Sequence, residues 1–189
     1  EPPFYFQKPT DAVQVIAAGT VGNHPYPTLT KNYHHEVELV AFLKSGGKEI
    51  PVEKALDHVV GYAVGLDMTR RDLQGQMKDQ KKPWEIGKAF DHSAPCGAIR
   101  PASEIGHPTK GKIVLKGNGQ VRQDGDLAQM IWNVPECISK LSEMVELAAG
   151  DVIMTGTPAG VTPISVGDKL ECEIESVGKL TVTIGPPLK

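Results

Sequence analysis

Leu170-Glu171-Cys172-Glu173-Ile174-Glu175-Ser176-Val177-Gly178-Lys179-Leu180-Thr181-Val182-Thr183-Ile184 carries the clearest structural signal in the chain. Leu170, Cys172 and Ile174 alternate with acidic residues, Val177-Gly178 turns the chain, and Leu180, Val182 and Ile184 alternate with Thr and Lys. Period-two alternation on both sides of a turn predicts a β-hairpin with one core face and one solvent face. Two further hairpins are legible. Residues 112–116 and 120–123 flank Asn118-Gly119, a pair that tolerates positive φ, and residues 35–43 and 49–52 flank Ser45-Gly46-Gly47. Twenty Gly and fifteen Pro punctuate short segments throughout, with no long linker, low-complexity tract or internal repeat. The pattern predicts a β-rich α+β fold with a few short helices.

One helix is well marked. Val134, Cys137, Ile138, Leu141 and Val145 recur at i, i+3, i+4, i+7 and i+11, with Asn133 as N-cap, Pro135 in the first turn and Gly150 as the stop. A second is predicted to begin at Thr69, where Thr69 and Asp72 read as a capping box and put Arg71 and Gln74 on one face.

Composition narrows the function. The 189 residues suit one domain, and a net charge of -3 with 23% charged residues gives no basic footprint for nucleic acid or an anionic membrane. No apolar run approaches the roughly 18 residues needed to span a bilayer. Cys96, Cys137 and Cys172 are odd in number, widely spaced and free of any CxxC, which points to a reducing cytoplasm rather than a disulfide framework or a zinc site. The chain opens Glu1-Pro2-Pro3-Phe4 without Met, with Phe4-Tyr5-Phe6 already strand-like, so a further N-terminal segment is expected upstream.

Four short stretches carry candidate chemistry. In His35-Glu36-Val37-Glu38-Leu39, alternation sets Glu36 and Glu38 on one face about 7 Å apart, either a solvated face or two ligands for a hard divalent ion. In the segment 61–74, an apolar strand ends at Asp67, which offers either a third carboxylate or a helix cap, while Arg71 and Gln74 follow on a helical face. In Trp84-Glu85-Ile86-Gly87-Lys88-Ala89-Phe90, a lone Lys88 stands among small and apolar neighbours, as an electrophilic group or a snorkelling surface lysine. Finally, residues 150–161 run from an apolar strand into Thr155-Gly156-Thr157-Pro158, an anion-binding nest or a plain turn, but no P-loop.

In this order, His35-Glu36-x-Glu38, Gly61-Tyr62 to Leu66-Asp67-Met68-Thr69-x-Arg71-Asp72, Gly87-Lys88-x-Phe90 and Thr155-Gly156-Thr157-Pro158-x-Gly160 resemble the signature set of the fumarylacetoacetate hydrolase family. Phe6-Gln7-Lys8-Pro9 is similar to the Phe-x-Lys-Pro segment that many bacterial members carry near the substrate pocket. The likeness spans nearly the whole chain and is nearest to the fumarylpyruvate hydrolase and acylpyruvase branch. It implies the family's mixed β-roll as a single catalytic domain over residues 1–189, usually a homodimer. Glu36, Glu38 and Asp67 would hold one divalent cation, Mg²⁺ by preference with Mn²⁺ or Ca²⁺ as alternatives. Lys88 and His35 would be the candidate catalytic residues, the family's histidine at that position supporting the metal ligands. Arg71, Gln74, Thr157 and Lys8 would surround a small diketo acid. The implied reaction is hydrolysis of a carbon–carbon bond in an acylpyruvate, with a His and Glu pair on an N-terminal lid as the base. The rival readings are an oxaloacetate decarboxylase or 2-oxo acid tautomerase of the same family, and a non-catalytic metal-binding scaffold.

Overall fold

A computed structural model describes residues 2–188. In chain order its strands are β1 (Val13–Val15), β2 (Val21–Pro25), β3 (Tyr33–His34), β4 (Val37–Leu43), β5 (Val59–Leu66), β6 (Thr69–Arg70), β7 (Ala94–Cys96), β8 (Arg100–Pro101), β9 (Lys112–Gly117), β10 (Gln120–Asp126), β11 (Val152–Met154), β12 (Pro163–Ile164), β13 (Lys169–Ile174) and β14 (Gly178–Gly185). The helices are α1 (Val52–Ala55), α2 (Arg71–Asp79), α3 (Glu85–Lys88), α4 (Ala102–Ile105) and α5 (Val134–Met144). This is the β-rich α+β architecture with few short helices that the hairpins predict.

Three sheets are formed. The first runs β1-β7-β5-β4-β11 with β8 also on β5, the second β10-β9-β13-β14-β2, and the third β12-β3-β6. Pairing is mixed: β1–β7 and β14–β2 are parallel and the other pairs antiparallel. Leu39, Val64 and Leu66 from the first sheet and Leu170, Cys172, Leu180 and Val182 from the second lie in one buried cluster. Burial of these aliphatic side chains, each worth roughly 1.5–3 kcal/mol, is what closes one sheet onto the other.

The β13–β14 hairpin pairs Leu170 with Val182 and Cys172 with Leu180, and the β9–β10 hairpin turns at Asn118 and Gly119, both at positive φ. The third expected hairpin is corrected. Residues 49–52 form no strand, because Pro51 N-caps α1; β4 instead pairs with β5, Val37 opposite Leu66 and Val40 opposite Ala63. Helix α5 has the expected Asn133 cap, with Asn133 Oδ1 accepting from Glu136 N and the Glu136 carboxylate accepting from Asn133 N. It ends at Met144, however, because Val145 is already extended, and Gly150 at φ 93° shapes the later turn into β11. The capping box at Thr69 is also absent: Thr69 is in β6, α2 begins at Arg71, and no side chain caps it. Among the described residues, no helix is long and apolar enough to cross a membrane.

Candidate metal centre and active site

The site is built where β4 and β5 end side by side. Asp67 N donates to Glu36 O at 2.9 Å, continuing the β4–β5 ladder by one step and bringing Asp67 beside the Glu36 and Glu38 pair. One carboxylate oxygen from each of Glu36, Glu38 and Asp67 lies within 4.8 Å of the others. All three are buried, which excludes the solvated-face reading of the Glu-x-Glu pair. Three buried carboxylates repel strongly unless cations compensate them.

Three cations do so. Lys88, 2% exposed, donates to Glu36 Oε2 at 2.9 Å, Asp67 Oδ2 at 2.6 Å and Thr69 Oγ1 at 2.7 Å, which takes up all three of its N–H groups. It is no snorkelling surface lysine. Gly87 makes this approach possible: a Cβ there would lie 2.8 Å from the backbone N of Gln74, so only glycine lets α3 settle on α2 and deliver Lys88 inward. Arg71 pairs with Glu36 through Nη2 and donates from Nη1 to Gln74 Oε1 at 2.6 Å, as the shared helical face predicts. Lys8 Nζ lies 2.8 Å from Asp67 Oδ1 and donates to Lys88 O at 2.6 Å and Met68 O at 3.2 Å.

These charges separate the carboxyls. Burial pushes Asp67 up, but the Lys8 and Lys88 ammoniums outweigh it and hold the group below the usual carboxylate range. Glu38 goes the other way: burial, then the charge of Asp67, push it up to about 8 against the Gly156 N–H that donates to Glu38 Oε2 at 2.7 Å.

The Gly and Thr loop after β11 therefore offers its Gly156 N–H to the protein's own Glu38 carboxyl rather than to an external anion. Thr155 and Thr157 hydroxyls donate to Leu39 O and Val37 O, each at 2.7 Å, stitching the loop along β4. His35 is fully buried with both ring nitrogens engaged, Nδ1 with Gln123 Oε1 at 2.9 Å and Nε2 with Thr162 Oγ1 at 3.0 Å. Burial lowers its pKa, and a neutral ring with no free nitrogen supports the strand rather than moving protons. The lid pair implied by the resemblance lies outside the described residues.

Sequence reasoning missed Gln123 and Thr69. Gln123 is fully buried; its Oε1 also accepts from Val37 N at 3.1 Å, and its Nε2 donates to Thr157 Oγ1 and Pro158 O, both at 2.8 Å. It thereby ties β10, β4 and the 155–158 loop at one point. A glutamine in an otherwise exposed hairpin strand gives no sign of this, although Thr69 could have been found as a hydroxyl two residues beyond Asp67 at the end of β5. Burial also pushes up the thiols of Cys96 and Cys137, to about 12 and about 11, so neither is a thiolate nucleophile.

The residues fit a hard divalent ion. Asp67 Oδ1 is buried with no aligned hydrogen-bond donor, the Lys8 ammonium being near but off axis, and an all-oxygen cluster of this size suits Mg²⁺, Mn²⁺ or Ca²⁺.

Known proteins resemble this chain in sequence and fold. A solved structure of fumarylpyruvate hydrolase from Pseudomonas aeruginosa, in complex with Mn²⁺ and pyruvate, is 51% identical, covers 98% of this chain and 80% of its own, and superposes with a TM-score of 0.97. Fumarylpyruvate hydrolase from Ralstonia sp is 39% identical over 186 residues, 98% of this chain and 94% of the relative. The mitochondrial oxaloacetate tautomerase FAHD1 of Homo sapiens is 40% identical over 161 residues, 85% of this chain and 73% of the relative. The profile described as fumarylacetoacetate (FAA) hydrolase C-terminal matches residues 1–185. With a profile match over nearly the whole chain and relatives at 39–51% identity, the chain belongs to the fumarylacetoacetate hydrolase family.

Proposed function

We propose that this chain, a metal-dependent hydrolase acting on carbon–carbon bonds in ketonic substances, takes an acylpyruvate-type 1,3-diketo acid such as fumarylpyruvate and releases pyruvate. The observation that carries the reading is the convergence of Glu36, Glu38 and Asp67 under the compensating charges of Lys8, Arg71 and Lys88.

A divalent ion held by the three carboxylates supplies Lewis-acid stabilisation of negative charge on dicarbonyl oxygens. The protein's own groups do the rest. With all three carboxylates ionised, three negative charges meet three positive ones, so the loaded site carries a surplus of about two positive charges, suited to a substrate carboxylate plus the enolate that forms when the carbon–carbon bond breaks. Lys88 holds Glu36 and Asp67 in aim and adds its charge through space. Arg71 and Gln74, already joined on α2, offer a guanidinium and an amide to a carboxylate or keto oxygen, while the Thr157 hydroxyl, held by Val37 O and Gln123 Nε2, shapes the neighbouring loop.

The second reading, an oxaloacetate tautomerase or decarboxylase, is favoured by the human relative and uses the same enolate. A substrate panel separates the two. Release of fumarate and pyruvate from fumarylpyruvate supports the hydrolase, whereas faster turnover of oxaloacetate without such cleavage would transfer the assignment to the second reading. Mg²⁺ as the native ion, a homodimer, a single catalytic domain and a cytoplasmic location complete the proposal; anomalous scattering and light scattering test the first two.

A further inference from the structure

Residues 4–9 run as a strap beside the active site, with Phe4, Tyr5, Phe6 and Lys8 each holding a partner on the body of the fold. Phe4 packs edge-on to Trp84 with centroids 5.1 Å apart, and Phe6 lies 6.2 Å from the same ring. The Phe6 ring also covers the Lys88 ammonium at 4.9 Å, and Tyr5 donates to Cys137 O at 2.9 Å, pinning the strap to α5. Lys8 completes the set. Its side chain is 10% exposed, and its ammonium is surrounded by three protein oxygens: Lys88 O, Met68 O and Asp67 Oδ1.

An ammonium has three N–H groups: two here go to Lys88 O and Met68 O, and the charge sits 2.8 Å from Asp67 Oδ1 in an ion pair, so Lys8 is committed to protein oxygens on both segments. The three oxygens come from two separate segments, the Asp67-Met68 turn after β5 and the end of α3. Trp84 is the residue just before α3 and Lys88 its last, so the strap grips this helix at both ends.

We infer that Lys8 is a positioning residue: it clasps the metal-ligand turn at Asp67 to the helix that delivers Lys88, and the Phe4 and Phe6 strap holds that clasp shut over the Lys88 ammonium. This differs from the substrate contact that the Phe-x-Lys-Pro resemblance suggests for Lys8. A substrate-binding lysine acts mainly through affinity, whereas a clasp acts through the aim of Lys88 and Asp67, and misplacement of a reacting group by about 1 Å costs on the order of 100-fold in rate.

The inference rests on Lys88 belonging to the active site, so its test has one arm that needs no activity. In a Trp132→Phe background Trp84 is the sole tryptophan, and acrylamide quenching without metal or substrate reports how tightly the strap covers it. Lys8→Met keeps the stem and removes the ammonium. It should at least double the quenching constant, and with Mn²⁺ and fumarylpyruvate it should lower kcat by about tenfold or more with KM within about threefold. Lys8→Arg keeps the charge but replaces the compact ammonium by a planar fork, and should shift both readouts in the same direction even if Lys8→Met folds poorly. A tenfold rise in KM with kcat retained, unchanged Trp84 quenching in Lys8→Met, or wild-type kcat in Lys8→Arg each overturns the clasp. If wild type cleaves no diketo acid, the quenching arm still decides the clasp while the functional reading fails by itself.

Discussion

Metal binding should release a proton, and Glu38 is its source. Burial and the neighbouring Asp67 charge push the Glu38 carboxyl up to about 8, so without metal it is largely protonated at neutral pH. Coordination by a hard cation requires the ionised form, so each ion bound below that value displaces close to one proton. The apparent affinity for Mn²⁺ should then rise about tenfold per pH unit well below pH 8, roughly 50-fold between pH 6 and pH 8, and level off above about pH 9. Stability follows with the opposite sign. A carboxyl whose folded pKa is raised favours folding fully below its unfolded value and loses that contribution as pH climbs to the folded one. The metal-free protein should lose stability across pH 4.5 to 8, and the metal-loaded protein should be spared this loss. Calorimetric Mn²⁺ titrations at pH 7 in two buffers of different ionisation enthalpy count the protons directly, and electron paramagnetic resonance of free Mn²⁺ gives the affinity at each pH. A count near zero, with equal affinity at pH 6 and pH 8, would refute the assignment of Glu38 as a protonated ligand. Glu38→Gln should bind Mn²⁺ more weakly and without the pH slope.

Other substitutions probe the remaining groups. Asp67→Ala strips a carboxylate from Lys8 and Lys88 together, so Mn²⁺ binding and activity should vanish in parallel and the melting transition should drop by the equivalent of roughly 3–5 kcal/mol; activity that survives loss of binding would contradict the metal assignment. Lys88→Ala should lower kcat about 100-fold while Mn²⁺ affinity stays at least as high, since one of the cations beside the ligands is gone; a large fall in affinity alone would argue for a purely structural lysine. Gln123→Leu leaves Val37 N and His35 Nδ1 buried without partners and should cost about 3 kcal/mol or more by urea unfolding, against near-neutrality if the glutamine were dispensable.

What the sequence discloses tracks the range of the interactions involved. The β9–β10 and β13–β14 hairpins and the Asn133 cap depend on alternation, turn residues and a three-residue reach, all local, and they are legible. Glu36, Glu38 and Asp67 are also legible, because two sit at period two where β4 begins and the third directly follows β5. The partner of β4 is not: Glu49-Ile50 offers a short apolar hint, while the true pairing with β5 skips past α1. Thr69 fits a local capping pattern, yet the buried Glu36 carboxylate and the Lys88 ammonium claim its hydroxyl. Gln123 is the extreme case, since its partners at 35, 37, 157 and 158 are brought to it by tertiary packing alone.

The contact at Gly87 has a mechanical consequence. With the Gly87 backbone seated against that of Gln74, α2 and α3 form one block that carries Arg71, Gln74 and Lys88 together, while Glu36 and Glu38 stay rooted in the sheet. Any drift of the block moves the groups facing the substrate and the charge facing the enolate by the same vector. Strain or loosening in this pair of helices therefore cannot retune recognition separately from turnover, and selection for a new diketo acid would have to act on the sheet side of the cleft.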